Sequence, residues 1–182
     1  MKLEKLLSKN SSAIQKAWLQ SIFATYPADT QRFLKKQKDQ FANPVGYTFS
    51  KEIENLFKEL LLGIDTERVS PILDRIIRVR AVQDFSPSQA MSFIFLLKKV
   101  IREKLEKEIR ENGFSDELLS FEYRIDNLAL IGFDIFMKRR EKIYEIRANE
   151  SKNQVSRLLE RAGLICEIPK WEPNLKEGDN IS

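Results

Sequence analysis

Hydrophobic residues recur at helical spacing along most of the chain. Near the start, Ile14, Trp18 and Ile22 follow one another at intervals of four. This spacing places side chains on one face of an α-helix. The helix breakers are few, with 6 Gly and 6 Pro in 182 residues, and the sequence has neither a strand-like alternation nor an internal repeat. The pattern predicts an all-α protein.

Residues that favour helix ends divide this pattern into a bundle of about six helices. Segment 41–46 is predicted to be a turn, because Asn43-Pro44 initiates turns and Gly46 permits a positive φ. Gly63 and Gly113 are expected to end helices. N-capping residues, two of them followed by proline, mark the helix starts. The predicted starts are at Asn10 to Ser12, Asp29, Ser50, Ser70, Ser86 and Ser115.

The C-terminal part of the chain has a different pattern. The last long helix turns polar near Lys138, and the tail from Ile168 contains prolines. A further amphipathic segment covers 155–159 and is either a separate short helix or a continuation of the last long one. We therefore predict a helical domain over 1–150, followed by a short helix and an extended tail over 151–182. Ile168 and Trp171 are candidate anchors that dock the tail on a partner protein. The alternative is that Trp171 folds back on its own domain.

Composition narrows the class of protein. Charged residues make up 32% of the chain and the formal net charge is +4. Basic residues alternate with glutamates in 102–110, so we expect a solvated helix face there and no nucleic-acid binding, although this face and Lys35, Lys36 and Lys38 are the segments where it would occur. No apolar run approaches the roughly 20 residues of a membrane span, and the N-terminus does not resemble a signal peptide. These features predict a cytoplasmic protein.

The residue types needed for common catalytic sites are missing. The sequence has no histidine and a single cysteine, Cys166, which removes histidine-based metal sites and Ser-His-Asp triads. No glycine-rich phosphate-binding loop or paired-cysteine motif occurs. We therefore expect no enzymatic activity, no metal and no cofactor.

Two charged residues fall within apolar patterns. Arg80 lies near the apolar stripe of its helix, and Asp134 interrupts the apolar segment 128–137. Because a buried unpaired charge is costly, we expect an arginine of 78–80 to meet Asp134 or Asp126 inside the bundle. The alternative is that Arg80 extends to solvent and Asp134 lies at the edge of the bundle.

A polar pocket between helices is the functional form of this hypothesis. Arginine and amide side chains can bind a small anion or the carboxylate of a partner protein. The candidate ligand or partner site comprises Asn43, Arg78, Arg80, Gln83 and Asp134.

Four short segments resemble one known family. They are Tyr26-Pro27, Phe41-Ala42-Asn43-Pro44-Val45-Gly46, Arg78-Val79-Arg80-Ala81-Val82-Gln83-Asp84-Phe85 and Ser86-Pro87-Ser88-Gln89-Ala90. Together they are similar to the RsbRD N-terminal domain family, named for a co-antagonist of the switch kinase RsbT. The resemblance covers about residues 10 to 145, and its most specific part is the string from Arg80 to Ala90.

The resemblance implies a non-enzymatic domain of bacterial stress signalling. In such co-antagonists the amino-terminal helical domain is regarded as the sensory input, and a STAS domain follows it. This chain leaves no room for a STAS domain after residue 150, so we expect a stand-alone input module. The leading hypothesis is a sensor or adaptor that binds a protein partner. The alternatives are a bundle that binds a small anion or metabolite, and a homodimer formed through 102–112.

Overall fold

The described part of the chain is all-helical, as the sequence predicts. The structure, a computed structural model, describes residues 2–36, 41–83 and 85–164, without the side chains of 35 and 36. This part contains helices only, one more than the approximate number predicted. They are α1 (Lys2–Lys9), α2 (Ser11–Phe23), α3 (Ala28–Lys36), α4 (Pro44–Leu62), α5 (Thr66–Ala81), α6 (Pro87–Glu111) and α7 (Ser115–Arg161).

The chain divides into two compact units, Met1–Ile143 and Tyr144–Ser182. The predicted domain boundary after residue 150 stays a prediction. In the second unit, nearly all side chains from 144 to 164 are exposed. The extended tail and its anchors Ile168 and Trp171 lie outside the described residues. None of the described helices has the length and apolar character needed to span a membrane.

The core of the first unit is built around α2. Ile14, Trp18 and Ile22 are fully buried. These residues, spaced four apart in the sequence, therefore form the side of α2 that faces the core, as predicted. The Trp18 indole Nε1–H donates a 2.6 Å hydrogen bond to the backbone oxygen of Phe93 in α6. This bond satisfies a buried donor and fixes α2 against α6.

Helix α1 has no counterpart among the predicted elements. It buries Leu3 and Leu7, which lie one helical turn apart, and the backbone N–H of Leu3 donates to Glu117 Oε2 at 2.8 Å. A helix of 8 residues is not stable alone in water. Contacts with the rest of the unit stabilise it, and a local sequence pattern does not reveal them.

The start of α4 differs from the prediction. The helix begins at Pro44 instead of at Ser50, because Asn43 acts as its N-cap and Pro44 fills the first helical position, where proline is tolerated. Gly46 is helical and has no positive φ, so the predicted reason for that glycine is wrong. A Cβ at this position would lie 2.2 Å from Asn43 Nδ2. Gly46 therefore makes room for the capping side chain.

The start of α5 also differs. The helix begins at Thr66, with Asp65 accepting a 2.9 Å hydrogen bond from the backbone N–H of Glu67. Pro71 lies inside the helix, so the predicted start at Ser70-Pro71 is wrong. The N-cap at Asp65 outweighs the later proline signal, which lies only one turn further along.

The long helices α6 and α7 begin where predicted. Ser86 and Gln89 form a reciprocal capping box at the start of α6. The second half of α6 is not wholly a surface segment, because Leu105 and Ile109 are buried. Helix α7 is continuous from Ser115 to Arg161. Its Gly132 permits a close approach to α6, since a Cβ there would lie 2.6 Å from Met91 Cε.

Several ion pairs join helices within the first unit. Arg75 and Glu52 join α5 to α4, and Arg102 and Glu122 join α6 to α7, each through two hydrogen bonds of 2.6–2.9 Å. Both glutamates are buried. Further pairs between helices are Lys98–Asp126, Arg139–Asp74, Arg68–Glu59 and Arg124–Glu4.

Candidate functional site

Arg80 is the most unusual buried residue of the described chain. Its side chain comes from the last turn of α5 and is 0% exposed. The sequence placed Arg80 near the apolar stripe of this helix, and the structure places it within the core. The alternative, in which the side chain extends to solvent, is wrong.

The hydrogen bonding of Arg80 is incomplete. Nη2 donates to the backbone oxygen of Gln89 at 3.0 Å and, at a long 3.5 Å, to Thr25 Oγ1. Nε and Nη1 are buried and have no hydrogen-bond partner among the described residues. By contrast, Arg75, Arg102 and Arg139 each pair with a carboxylate. The charge on Arg80 is therefore buried without a described counter-ion.

Three aromatic rings surround the Arg80 guanidinium. Its Cζ lies 4.5 Å from the ring centre of Phe85, 5.5 Å from that of Tyr26 and 5.7 Å from that of Phe93. Cation–π contacts of this kind are worth about 0.5–2 kcal/mol, whereas an uncompensated buried ion costs several kcal/mol. The rings alone do not offset the burial of the charge. We call Arg80, Tyr26, Phe85 and Phe93 the Arg80 cluster.

Burial shifts both ionisable groups of the Arg80 cluster. Desolvation lowers the pKa of the Arg80 guanidinium, and the adjacent Tyr26 opposes this effect. Desolvation raises the pKa of the Tyr26 phenol, and the charge of Arg80 and a hydrogen bond to Gln83 oppose it. Both directions follow from the same cause, which is that a charged form is disfavoured away from water.

A groove of about 290 Å³ lies against the Arg80 cluster. It is lined by Tyr26, Pro27, Thr30, Gln83 and Phe85. The Tyr26 hydroxyl donates a 3.1 Å hydrogen bond to Gln83 Oε1. The rings of Tyr26 and Phe85 meet edge to face, 5.3 Å apart, and form both the wall of the groove and one side of the Arg80 cluster. Sequence reasoning identified Arg80 and Gln83 and missed the rings.

Asn43, another predicted site residue, has a structural role. It is fully buried, its Oδ1 accepts from the backbone N–H of Gly46 at 2.8 Å, and its Nδ2 donates to the backbone oxygen of Leu34 at 3.0 Å. Asn43 thus caps α4 and ties it to α3. If the Asn43 side chain turned to bind a ligand instead, both of these hydrogen bonds would be lost.

The remaining predicted site residues do not join Arg80. Arg78 and Asp134 are both exposed, and Asp126 pairs with Lys98 at 2.7 Å. The expected contact between an arginine of 78–80 and Asp134 or Asp126 is therefore wrong. Asp134 lies on the exposed side of α7, in an apolar segment that is itself only partly buried.

That segment forms part of an exposed apolar face. Phe95 of α6 and Leu130, Phe133 and Met137 of α7 are 38–66% exposed, and we call these four residues the α6–α7 face. A groove of about 350 Å³ runs through it and is bordered by Asp126. Large clustered apolar side chains at a surface are typical of binding sites. The sequence pattern did not reveal this face, because a segment that is apolar except for Asp134 suggests core.

A groove of about 730 Å³ lies between the end of α6 and the start of α7. Arg102, Arg110, Glu103 and Asp116 are among the residues that line it, so its charges are mixed and no single ligand charge is favoured. Within the described part of the chain, no group of three acidic or cysteine side chains is placed to hold a metal ion.

The described residues form an all-α domain with grooves on a helical scaffold. The family model described as the RsbT co-antagonist protein rsbRD N-terminal domain matches residues 12–151. The chain belongs to this family, which confirms the resemblance seen in the sequence. It is a family of regulatory stress-signalling domains of the partner-switching kind. Neither the curated proteins nor the solved structures gave a match.

Proposed function

We propose that this protein is a cytoplasmic regulatory domain that relays a stress signal by binding a protein partner. The family supports a role in signalling. The observation that carries the proposed mode of binding is the α6–α7 face, with its exposed Phe95, Leu130, Phe133 and Met137. Apolar side chains that a monomer leaves exposed gain stability when a partner covers them.

The proposed partner presents an amphipathic helix to this face. A groove between two helices fits the helix-in-groove mode, in which apolar side chains spaced three or four residues apart enter the groove. Asp126 at its border, already paired with Lys98, would set the charge that a partner must match. The partner's helix would then have an apolar stripe and a polar residue facing this ion pair.

The test replaces one leucine within the α6–α7 face and, in a separate control variant, one leucine outside it. Leu130→Glu places a charge within the α6–α7 face. Leu62→Glu makes the same change on α4, at a leucine that is 74% exposed. Both proteins, with the wild type, would serve as baits in the native host, and the recovered partner would then be purified and titrated against each bait by calorimetry.

We expect wild type and Leu62→Glu to bind the purified partner alike, and Leu130→Glu to bind at least tenfold more weakly. Equal binding by both variants would reject the α6–α7 face, and recovery of no partner by wild type would reject the proposed function. A chain that lacks residues 165–182 tests the tail separately. Loss of binding on truncation alone would place the contact at Ile168 or Trp171 instead.

A further inference from the structure

Arg80 is a buried cation whose side-chain donors are only partly satisfied by the described residues. It is fully buried, and its Nε and Nη1 groups have no acceptor among the described residues. A buried guanidinium normally donates to a carboxylate or to several carbonyl oxygens. Among the described residues, Nη2 alone finds such an acceptor, the backbone oxygen of Gln89. An anion beside Nε or Nη1 would satisfy both the charge and the donors.

The surroundings of Arg80 indicate which anion fits. The rings of Tyr26, Phe85 and Phe93 leave an apolar environment around a single positive charge. A monoanion neutralises that charge, whereas a dianion such as phosphate leaves a net negative charge away from water, which is costly. An organic carboxylate also brings an apolar body, which the aromatic wall can contact.

The groove beside the cluster supplies the space for that body. Its volume of about 290 Å³ and its lining by Tyr26, Pro27 and Phe85 suit a small, partly apolar molecule. The Tyr26 and Phe85 rings line the groove and also contact the guanidinium. Phe85 lies in the non-helical connection between α5 and α6 and is only half-buried, so it is the ring that can turn aside without moving a helix.

We propose that Arg80 anchors a binding site for a small organic monocarboxylate, whose apolar body occupies the groove of Tyr26, Pro27 and Phe85. The carboxylate accepts hydrogen bonds from Arg80 Nε and Nη1, which have no partner among the described residues, and the Phe85 ring turns to admit it. The ligand would be the signal that the domain senses. That role rests on the proposed function, whereas the binding itself does not.

The first test observes Arg80 directly by NMR. The Arg80 Nε–Hε signal is assigned as the arginine signal lost in Arg80→Met and kept in Arg78→Met. Wild-type protein is then titrated with sodium butyrate and sodium benzoate, with sodium chloride and sodium phosphate at equal ionic strength as controls. We expect a saturable shift of this signal with either carboxylate, in the millimolar range suited to such small probes, and no saturable shift with chloride or phosphate.

A thermal-shift experiment supplies an independent measurement. A ligand that binds only the native state raises the Tm, so benzoate should raise the Tm of wild type. Arg78→Met is the matched control, because it removes the same residue type from the same helix at an exposed position. We expect it to respond as wild type does, and Arg80→Met to respond at least tenfold more weakly.

Three results would overturn the proposal. One is the absence of a saturable shift of the Arg80 Nε–Hε signal with both carboxylates, which needs only wild-type protein and one assignment. Another is an equal Tm response in Arg80→Met, provided that this variant unfolds cooperatively in urea. The third concerns Asp84, four residues further along the chain and outside the described residues. If Asp84→Asn moves the Arg80 signal without added ligand, and wild type does not respond to carboxylates, the chain supplies its own anion.

The two proposals fail separately. Leu130→Glu should keep the benzoate response, because Leu130 belongs neither to the Arg80 cluster nor to its groove. A protein that binds its partner and ignores carboxylates would leave the proposed function standing without this site. If the protein binds benzoate through Arg80 and recovers no partner, the proposed carboxylate site stands and the proposed relay of a signal to a partner is rejected.

Discussion

At the scale of single residues, Asn43 and Gly46 show how two side chains define one helix start. The Asn43 amide occupies the space that a Cβ on Gly46 would need, since their separation would be 2.2 Å. It uses that position to hold the backbone of both Gly46 and Leu34. The glycine is required for the cap and not for a left-handed turn.

This coupling predicts that the effect of Gly46→Ala changes sign with the residue at position 43. In wild type, alanine displaces the cap and should lower the free energy of unfolding by about 1–3 kcal/mol. In an Asn43→Ala background no cap remains to displace. The same change should then raise the free energy of unfolding by up to about 1 kcal/mol through helix propensity.

Urea denaturation of wild type, both single variants and the double variant measures this interaction. Additive effects would contradict the coupling. The Asn43→Ala variant alone should lose about 1–3 kcal/mol, because it leaves two backbone groups without their partner.

Tyr26 gives a prediction for the dependence of stability on pH. Burial raises the pKa of its phenol in the folded state, so the folded protein holds this proton more tightly than the unfolded chain does. The contribution of Tyr26 to stability is fully present below its unfolded pKa of about 10. It is lost as the pH rises from there through the folded pKa.

A spectroscopic titration of the tyrosines checks this. Because burial raises the pKa of the Tyr26 phenol, we expect this tyrosine to ionise above the ordinary range of a tyrosine. The absorbance change near 295 nm should therefore include a late component that Tyr26→Phe removes. A Tyr26→Phe protein with an unchanged titration would show that another tyrosine ionises last.

Arg80 marks the limit of sequence reasoning at this scale. Its position after Ile76 and Ile77 predicted that it would face the core, and it does. The partner was predicted wrongly, because periodicity reports which side of a helix a residue occupies and not what lies opposite. The rings of Tyr26 and Phe93 come from residues distant in sequence, so only the folded chain brings them to Arg80.

At the scale of helices, N-cap residues predicted the helix start correctly where no earlier residue capped the same helix. Ser86-Pro87 and Ser115 start α6 and α7 as predicted. The predictions at Ser50 and Ser70 fail because Asn43 and Asp65 cap the same helices earlier. For each of these helices the sequence shows both candidate N-caps. Which of the two starts the helix depends on tertiary contacts, such as the hydrogen bond between Asn43 and Leu34.

The ion pair between α6 and α7 gives a prediction at the same scale. Arg102→Met leaves Glu122, which is 6% exposed, without its two hydrogen bonds. We expect a loss of about 1–3 kcal/mol in the free energy of unfolding. Lys99→Met, on the same helix, removes a long and exposed contact with Glu103 and should change it by less than about 0.5 kcal/mol. Chemical denaturation compares them, and equal losses would show that burial of Glu122 is unimportant.

At the scale of the whole molecule, the buried core ends about halfway along α7. The last core residue is Phe136, although the helix continues to Arg161. The family model also ends at residue 151. The sequence indicated this organisation through the polar composition after Lys138, but it did not show that one helix continues through it.

Truncation tests where the stabilising part of the chain ends. A chain of residues 1–151 loses side chains that are almost all exposed where described, so its free energy of unfolding should stay within about 1 kcal/mol of wild type. A chain that ends at Phe133 also loses the buried Phe136 and the Arg139–Asp74 pair. It should be less stable by at least about 3 kcal/mol. Similar Tm values for both truncated chains would place the end of the core before Phe133.

The burial of Trp18 against Phe93 makes the protein its own fluorescent reporter. An indole that water does not reach, with its N–H held by a backbone oxygen, should emit at short wavelength and resist quenching by iodide or acrylamide. The only other tryptophan of the sequence is Trp171, so Trp171→Phe leaves one emitter at the junction of α2 and α6. A red shift of that emission then signals the separation of these two helices, which allows their unfolding to be followed in real time.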